Sequence, residues 1–409
     1  MRTIQSLKKL IEDQVSVSPN EVSIIDLVDL IVEHGFISRS SDIHIEPEEN
    51  RVVVRMRIDG MLHDAIVLPQ ELHSEVISRI KVLSGLKTDM HHVPQDGRFK
   101  AKIEGSAPVD IRISIAPTYY GENAVLRILA EAAQVFNLED LGYTKEQLNI
   151  IGEAIGRPYG MILANGPTGS GKTTSLYAMI KRLNTRDVSI ITIEDPIEYS
   201  ISGITQMPVN IQAGLTFASG LRSILRQDPN IIMVGEIRDS ETADIAVNAA
   251  LTGHLVFSTL HTNDAATTFP RLMDMGALPF LIASTVNVVI SQRLVRMVCK
   301  TCRKERSLSA AELKSLSSVV TKSVLPENVF AVGPGCNDCD GKGYKSRIGV
   351  HEVLAITEGL RSLIVGHADA TQIKNQAIKE GMKTIVEDGI LKAAAGITTI
   401  EEILRIIHE

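Results

Sequence analysis

Gly166-Pro167-Thr168-Gly169-Ser170-Gly171-Lys172-Thr173 fits the pattern G-x-x-x-x-G-K-[ST], and its surroundings are those such a loop requires. The apolar run MILAN leads into it, and the helix-like stretch SLYAMIKRL leads out. A strand that enters a glycine-rich turn and leaves as a helix is one unit of a parallel α/β sheet, so the motif constrains the fold around it. Glycines let backbone N–H groups curl around phosphate oxygens, while the new helix presents its positive end to them. Lys172 has the reach for β- and γ-phosphates, the Thr173 hydroxyl suits Mg²⁺, and Thr174 belongs to the same binding turn. The ligand implied is ATP with Mg²⁺. A chance glycine turn would lack both flanking elements.

The rest of residues 146–298 supports that unit. VSIITIED, NIIMVGE and HLVFSTL are continuous apolar runs, each ending in a polar loop, as expected of parallel strands covered on both faces. Ile231–Glu236 reads as the second acidic strand of such an ATPase. Gly235 occupies the place where a metal-side Asp is common, which leaves Glu236 as the candidate to polarise an attacking water. The plainer alternative is a solvated carboxylate at a strand end.

Residues 1–130 read as a separate α+β domain. Ile24, Leu27, Val28, Leu30 and Ile31 recur near the helical period, and ELHSEVISRIKVLSGL forms a second amphipathic pattern. SDIHIEP, RVVVRMRIDG, VDIRISIAP and NAVLRIL read as short strands. Residues 131–145 read as a linker, and 346–409 as a helical segment beginning near Arg347. Met275 to Gln292 carries no charge, but Asn287, Gln292 and several Ser/Thr interrupt it; the expectation is a helix buried in a protein core rather than a membrane span.

Composition narrows the partners. Aromatic residues make up 4% with no Trp, and the net charge is −7, so stacking platforms and a general basic surface for nucleic acid are both lacking. The charged N-terminus has no apolar signal core, which predicts a cytoplasmic protein. The four cysteines fall into Cys299-x-x-Cys302 and Cys336-x-x-Cys339, spaced to wrap one Zn²⁺ with four thiolates. Two disulfides or unrelated free thiols are the alternatives. Structural zinc is favoured in a reducing compartment, and it would organise residues 299–345 around a loop holding structure of its own.

Several boxes together resemble the secretion ATPases of type II secretion and type IV pilus systems. IEDPIEY, from Ile193 to Tyr199, resembles their aspartate box. Asp228-Pro229-Asn230 through Glu236-Ile237-Arg238-Asp239 resembles their Walker B region, in which a glycine before the glutamate is usual. Leu251-Thr252-Gly253-His254 through Thr259-Leu260-His261-Thr262 resembles their histidine box. SDIHIEP, RMRIDG and PQDGRF resemble the N-terminal domain, and the similarity runs in family order from about residue 21.

The resemblance implies a PAS-like (sensor-like) α+β domain, a RecA-like ATPase domain and a homo-hexameric ring. Glu194 would support metal or water, and Glu236 would be the catalytic carboxylate. His254 and His261 would sit near the γ-phosphate or a subunit interface, with satisfied polar residues at strand ends as the bland alternative. Arg98 and Arg112 resemble the positions that send guanidinium groups to the γ-phosphate, the alternative being solvent-facing strand arginines. Arg55, Arg57 and Arg127 are weaker candidates. The cysteine module and TTIEEILRIIHE resemble the assembly type rather than retraction motors. The sequence starts too close to the sensor-like domain to include the further N-terminal docking domain of many assembly ATPases, as expected either of a naturally short member or of a shortened chain. The expected role is to drive pilin or pseudopilin addition through an inner-membrane platform protein. ATP binding would close the sensor-like domain on the ATPase domain and hydrolysis would release it. The chain would be peripheral on the inner face of the cell membrane through its partners, without direct nucleic-acid contact. A retraction ATPase and a non-hydrolysing ATP-gated scaffold are the rivals.

Overall fold

A computed structural model describes residues 2–106, 108–129, 137–307, 309 and 329–408. The chain divides into two compact units, Met1–Gln134 and Val135–Glu409. Part of the expected linker and most of the loop between the cysteine pairs lie outside the described residues.

The first unit is one antiparallel sheet with helices packed on it. Its strands are β1 (Ser40–Pro47), β2 (Arg51–Ile58), β3 (Met61–Pro69), β4 (Gln95–Ala101), β5 (Val109–Thr118) and β6 (Gly121–Leu129), ordered β3-β2-β1-β6-β5-β4. The helices are Ile4–Val15, Ile24–Ile37 and His73–Leu83. Period-two alternation places Ile111, Ile113 and Ile115 of β5 in the core with Leu27, Val28 and Ile31 of the second helix. That helix comes so close to β1 that a Cβ on Gly35 would lie 2.5 Å from Ile43 Cδ1. The intervening positions of the sheet form another row: Arg98, Arg112, Arg127, Asp42 and Arg57 stand in register across β4, β5, β6, β1 and β2. Asp42 pairs with Arg127 at 2.9 Å and Arg57 at 3.7 Å. The sequence pattern missed β3 and β4. The polar sequence of β4 suits its place at the sheet edge, where only one neighbour has to be satisfied.

The second unit is built on a seven-stranded sheet, ordered β15-β12-β7-β11-β10-β8-β9. Its strands are β7 (Gly160–Asn165), β8 (Ile190–Glu194), β9 (Thr205–Pro208), β10 (Ile231–Val234), β11 (Leu255–Leu260), β12 (Val286–Val298) and β15 (Tyr344–Ala355). A separate two-stranded ribbon joins β13 (Lys304–Ser307) to β14 (Val329–Val332). All pairings in the large sheet are parallel except β12 with β15. Met161 and Leu163 enter the core on one face, while Ile162 and Ala164 enter the core on the other. Burial on both faces is the physical reason MILAN is continuously apolar.

Two expectations need correction. Met275–Gln292 is not one buried helix: Pro279–Thr285 is a short helix, and the chain then becomes β12. Val286, Val288, Val289 and Ile290 are β-branched and fully buried within the sheet, where such side chains pack best. The segment from Arg347 does not begin helical either. β15 continues to Ala355, and the helices Glu358–Val365, Ala370–Lys379, Ile385–Ala394 and Ile400–His408 follow. Among the described residues no helix is long and apolar enough to cross a membrane.

Candidate nucleotide site

Because β7, β8, β10 and β11 run in one direction, their C-terminal ends share one edge of the sheet. That edge is where ligands bind in such folds. Asn165 at the end of β7 pairs with Leu260 at the end of β11, and Val234 pairs with Ile193 and Ser258. The glycine-rich loop, Glu194, Glu236 and His261 therefore emerge side by side.

Gly166, Gly169 and Gly171 have φ values of 141°, 78° and 87°, a turn that L-side chains resist, and the helix Lys172–Leu183 starts immediately after. Pro167 and Thr168 form the exposed outer part of the loop, and Thr173 and Thr174 lie half-buried in the first helical turn. The Ser170 Oγ is buried without a hydrogen-bond partner, a polar atom available to a ligand. Lys172 Nζ donates to the carbonyls of Gly166 (2.7 Å) and Pro167 (3.0 Å). Burial brings its pKa down from 10.5 to about 8; nearby Glu236 opposes that fall and Arg293 adds to it. The positive helix end, the glycine turn and this ammonium fit a phosphate chain.

Glu236 follows β10 and is 8% exposed. Its two oxygens are held separately, one by Arg238 at 2.6 Å and the other by His261 Nε2 at 3.2 Å. Thr259 Oγ1 and Ser258 Oγ donate to the carbonyls of Gly235 and Val234, which fixes β10 against β11 beneath this pair. Glu194 ends β8 at the same edge, with its carboxylate bound by neighbouring side chains. Tyr177, on the helix after the loop, donates to one oxygen, while Thr192 (2.6 Å) and Gln206 (3.2 Å) donate to the other. With both oxygens engaged, this carboxylate anchors the helix to β8.

The histidines separate. His261 joins Glu236, but His254 precedes β11, and Gly160 N at the start of β7 donates to its carbonyl. His254 Nδ1 lies 3.0 Å from the Ala249 carbonyl. It is thus at the opposite edge of the sheet from the loop, about 20 Å away at the rise of a six-residue strand. Strand direction thus separates His254 from the loop of its own chain, and the subunit-interface half of the expectation is the part this placement suits. Arg98 and Arg112 lie in the first unit, opposite one another on β4 and β5.

Gln292, Arg293 and Arg238 were not singled out from sequence as site residues. Arg293 Nη2 donates to Asn263 O at 3.0 Å, beside the loop that carries His261. The one signal for Gln292 was an amide interrupting an apolar run.

The four cysteines converge. Their sulfurs all lie within 4.8 Å of one another, with Cys299–Cys336, Cys302–Cys339 and Cys336–Cys339 at 3.8, 3.9 and 3.7 Å. Four ligands about 2.3 Å from one tetrahedral ion lie about 3.8 Å apart, so the cluster can bind a metal. The backbone N–H groups of Cys336 and Gly343 both donate to Cys339 Sγ at 3.2 Å, a second layer suited to thiolate. Neighbouring bonds tie this module to the C-terminal segment. Val298 N donates to Ile397 O, Tyr344 Oη lies 3.0 Å from Thr399 Oγ1, and Arg296 grips buried Glu402 at 2.7 Å.

Comparison with known proteins decides the family. The model of the type II/IV secretion system protein family matches residues 18–405. The chain belongs to that family. It is 47% identical over 400 residues to the type IV pilus assembly ATPase PilB of Thermus thermophilus, covering 97% of this chain and 44% of that protein. It is 44% identical over 390 residues to the type II secretion system protein E of Aeromonas hydrophila, covering 95% of this chain and 77% of that one. The chain therefore spans less than half of the first relative and about three quarters of the second. Among solved structures, the pilus retraction motor PilT with bound ADP aligns with TM-score 0.62 and 26% identity, over 92% of this chain and 96% of that chain. The family match bears out the resemblance read from the ordered boxes, and with it the ATPase class of fold.

Proposed function

We propose that this chain is the ATP-hydrolysing motor subunit of a type IV pilus or type II secretion assembly machine. The observation that carries the chemistry is the joint placement of the glycine loop, Lys172 and Glu236, the last held at both oxygens. Lys172 would leave the loop carbonyls for the β- and γ-phosphates, and the Ser170 hydroxyl and loop N–H groups would take further phosphate oxygens. Thr173 would hold Mg²⁺, which when bound supplies charge neutralisation on the phosphates. Glu236 would then orient and polarise the attacking water, with Arg238 and His261 fixing its direction. Arg98 and Arg112 would supply permanent positive charge to the phosphoryl group, in the same or a neighbouring subunit. The cysteine cluster would hold one structural Zn²⁺.

The assembly role draws support from the PilB and protein E relatives and from the cysteine module. The reading includes a homo-hexamer at the cytoplasmic face of the inner membrane, docked on a platform protein. The retraction motor is matched at lower identity, and an intact Lys172 and Glu236 speak against an inert scaffold.

Steady-state hydrolysis and nucleotide binding by the purified chain test this reading. Lys172→Ala should abolish turnover and weaken ATP binding, because it removes phosphate contacts. Glu236→Gln should abolish turnover while ATP stays bound, because ground-state contacts survive. Near-normal turnover in Glu236→Gln would move the catalytic role elsewhere.

A further inference from the structure

Two glycines of the phosphate loop face a single residue of β12. A Cβ on Gly171 would lie 2.7 Å from Gln292 Nε2, and one on Gly166 would lie 2.5 Å from the Gln292 carbonyl oxygen. These glycines are therefore required for the approach of β12 as well as for the approach of phosphate. Gln292 is 2% exposed, and its amide is used at both ends. Nε2 donates to the Ser170 carbonyl at 2.7 Å, and Oε1 accepts from Ser175 Oγ at 2.7 Å. One side chain thus joins the loop to the helix that follows it. Behind it, Tyr143 Oη lies 3.5 Å from the same Oε1, and the Tyr143 ring stacks on His351 with centroids 3.7 Å apart. The amide has little freedom to turn.

This grip has a consequence through peptide planarity. The Ser170 carbonyl and the Gly171 N–H belong to one trans peptide and point in opposite directions. By capturing the carbonyl, Gln292 turns the Gly171 N–H away from β12. A loop that cradles an anion needs its N–H groups turned that way and held before the ligand arrives, so that little ordering remains to be done on binding.

We propose that Gln292 is a positioning residue for the nucleotide: its amide holds the Ser170–Gly171 peptide so that the Gly171 N–H is presented to a phosphate. The proposal rests on the reading that this loop binds ATP. Its chemistry is specific. The Ser170 carbonyl needs a donor, and the Ser175 hydroxyl needs an acceptor. An amide supplies both and a carboxylate supplies only the second.

Two variants of similar shape test it in the full chain. Gln292→Met keeps the volume and removes both polar functions. Gln292→Glu keeps the acceptor and has an O–H donor only while its carboxyl is protonated, a state that burial extends upward in pH. Binding of a fluorescent ATP analogue is titrated with wild type and both variants over a range of pH, beside thermal melts of the nucleotide-free proteins. Losing one buried hydrogen bond to the loop should weaken nucleotide binding about tenfold or more in Gln292→Met. Gln292→Glu should be equally weak at any pH where its carboxyl is ionised, a threshold that burial moves upward, and its ratio to wild type should recover as pH falls. A role confined to packing would lower the melting temperature without producing that pH-dependent rescue.

Binding by both folded variants within about twofold of wild type overturns the proposal. If only Gln292→Glu folds, absence of recovery at low pH overturns it. If neither folds at any pH, Gln292 is a requirement of the sheet and the proposal is likewise wrong. Failure of the wild type to bind sinks the ATPase reading itself. Equal binding by wild type and variants sinks only the positioning role.

Discussion

Lys172 is held between two opposed demands. Burial pulls its pKa down to about 8, while function asks for an ammonium beside phosphates. In the nucleotide-free protein the depressed value means that unfolding takes up a proton between about pH 8 and 10.5. The charge therefore costs stability below pH 8, and the cost fades as pH rises toward 10.5. A bound triphosphate should restore the ammonium, so nucleotide binding takes up a proton above pH 8. ATP affinity should accordingly fall as pH rises past about 8, by at most about tenfold per unit. Dissociation constants measured on both sides of that pH check the sign. Lys172→Arg, which does not titrate there, should flatten this part of the profile even if its binding is weaker. A flat wild-type profile would show that Lys172 is charged throughout. The need for Lys172 was legible in the motif, but its hydrogen bonds to Gly166 and Pro167 and its closeness to Glu236 and Arg293 were not.

Among the elements, the cysteine module is the one whose existence depends on a bound ion in this reading. Its two knuckles are short turns, and a 3₁₀ turn at Asn337–Cys339 brings the second pair together. Binding energies of roughly 10–16 kcal/mol are typical where zinc organises such turns. Purified chain should carry one zinc per molecule by elemental analysis. Cys302→Ser or Cys339→Ser should lose it and speed hydrogen exchange in the described parts of 299–345 and in 396–408. The second region responds because Ile397 and Thr399 are bonded to Val298 and Tyr344 beside the module. The phosphate loop should keep its protection, since it is held by β7 and by Gln292 on β12. Metal-free protein with all four thiols freely titratable under reducing conditions would remove zinc from the account. The knuckle spacing was readable from local sequence. The change from helix to β12, and the strand character of β15, were not. An apolar run of that length suits either state, and only a place inside a sheet selects the extended one.

For the whole molecule, the question is whether turnover needs both units. The first carries Arg98 and Arg112 in register, and the second carries the glycine-rich loop. A supplied arginine multiplies the rate of a slow P-loop hydrolase by about 10³–10⁵. Arg98→Ala and Arg112→Ala should therefore cut turnover strongly while leaving nucleotide affinity much less changed. Arg→Lys should also be poor, because a compact ammonium cannot replace the planar fork. A chain starting at residue 135 should bind ATP and hydrolyse it only at a basal rate. Full activity in that shortened chain would remove the arginines from the chemistry. The sequence by itself determined the loop, its flanking strand and helix, each cysteine pair and each family box, because each is written in residues close together along the chain. Tertiary structure alone decided which distant groups meet there. Gln292 reaches the Ser170 carbonyl from 122 positions later, Arg238 and His261 take opposite oxygens of Glu236, and His254 is carried to the far edge. The physical reason is that strand order and direction set those neighbours, and they arise from burial on both faces of the sheet rather than from any local spacing.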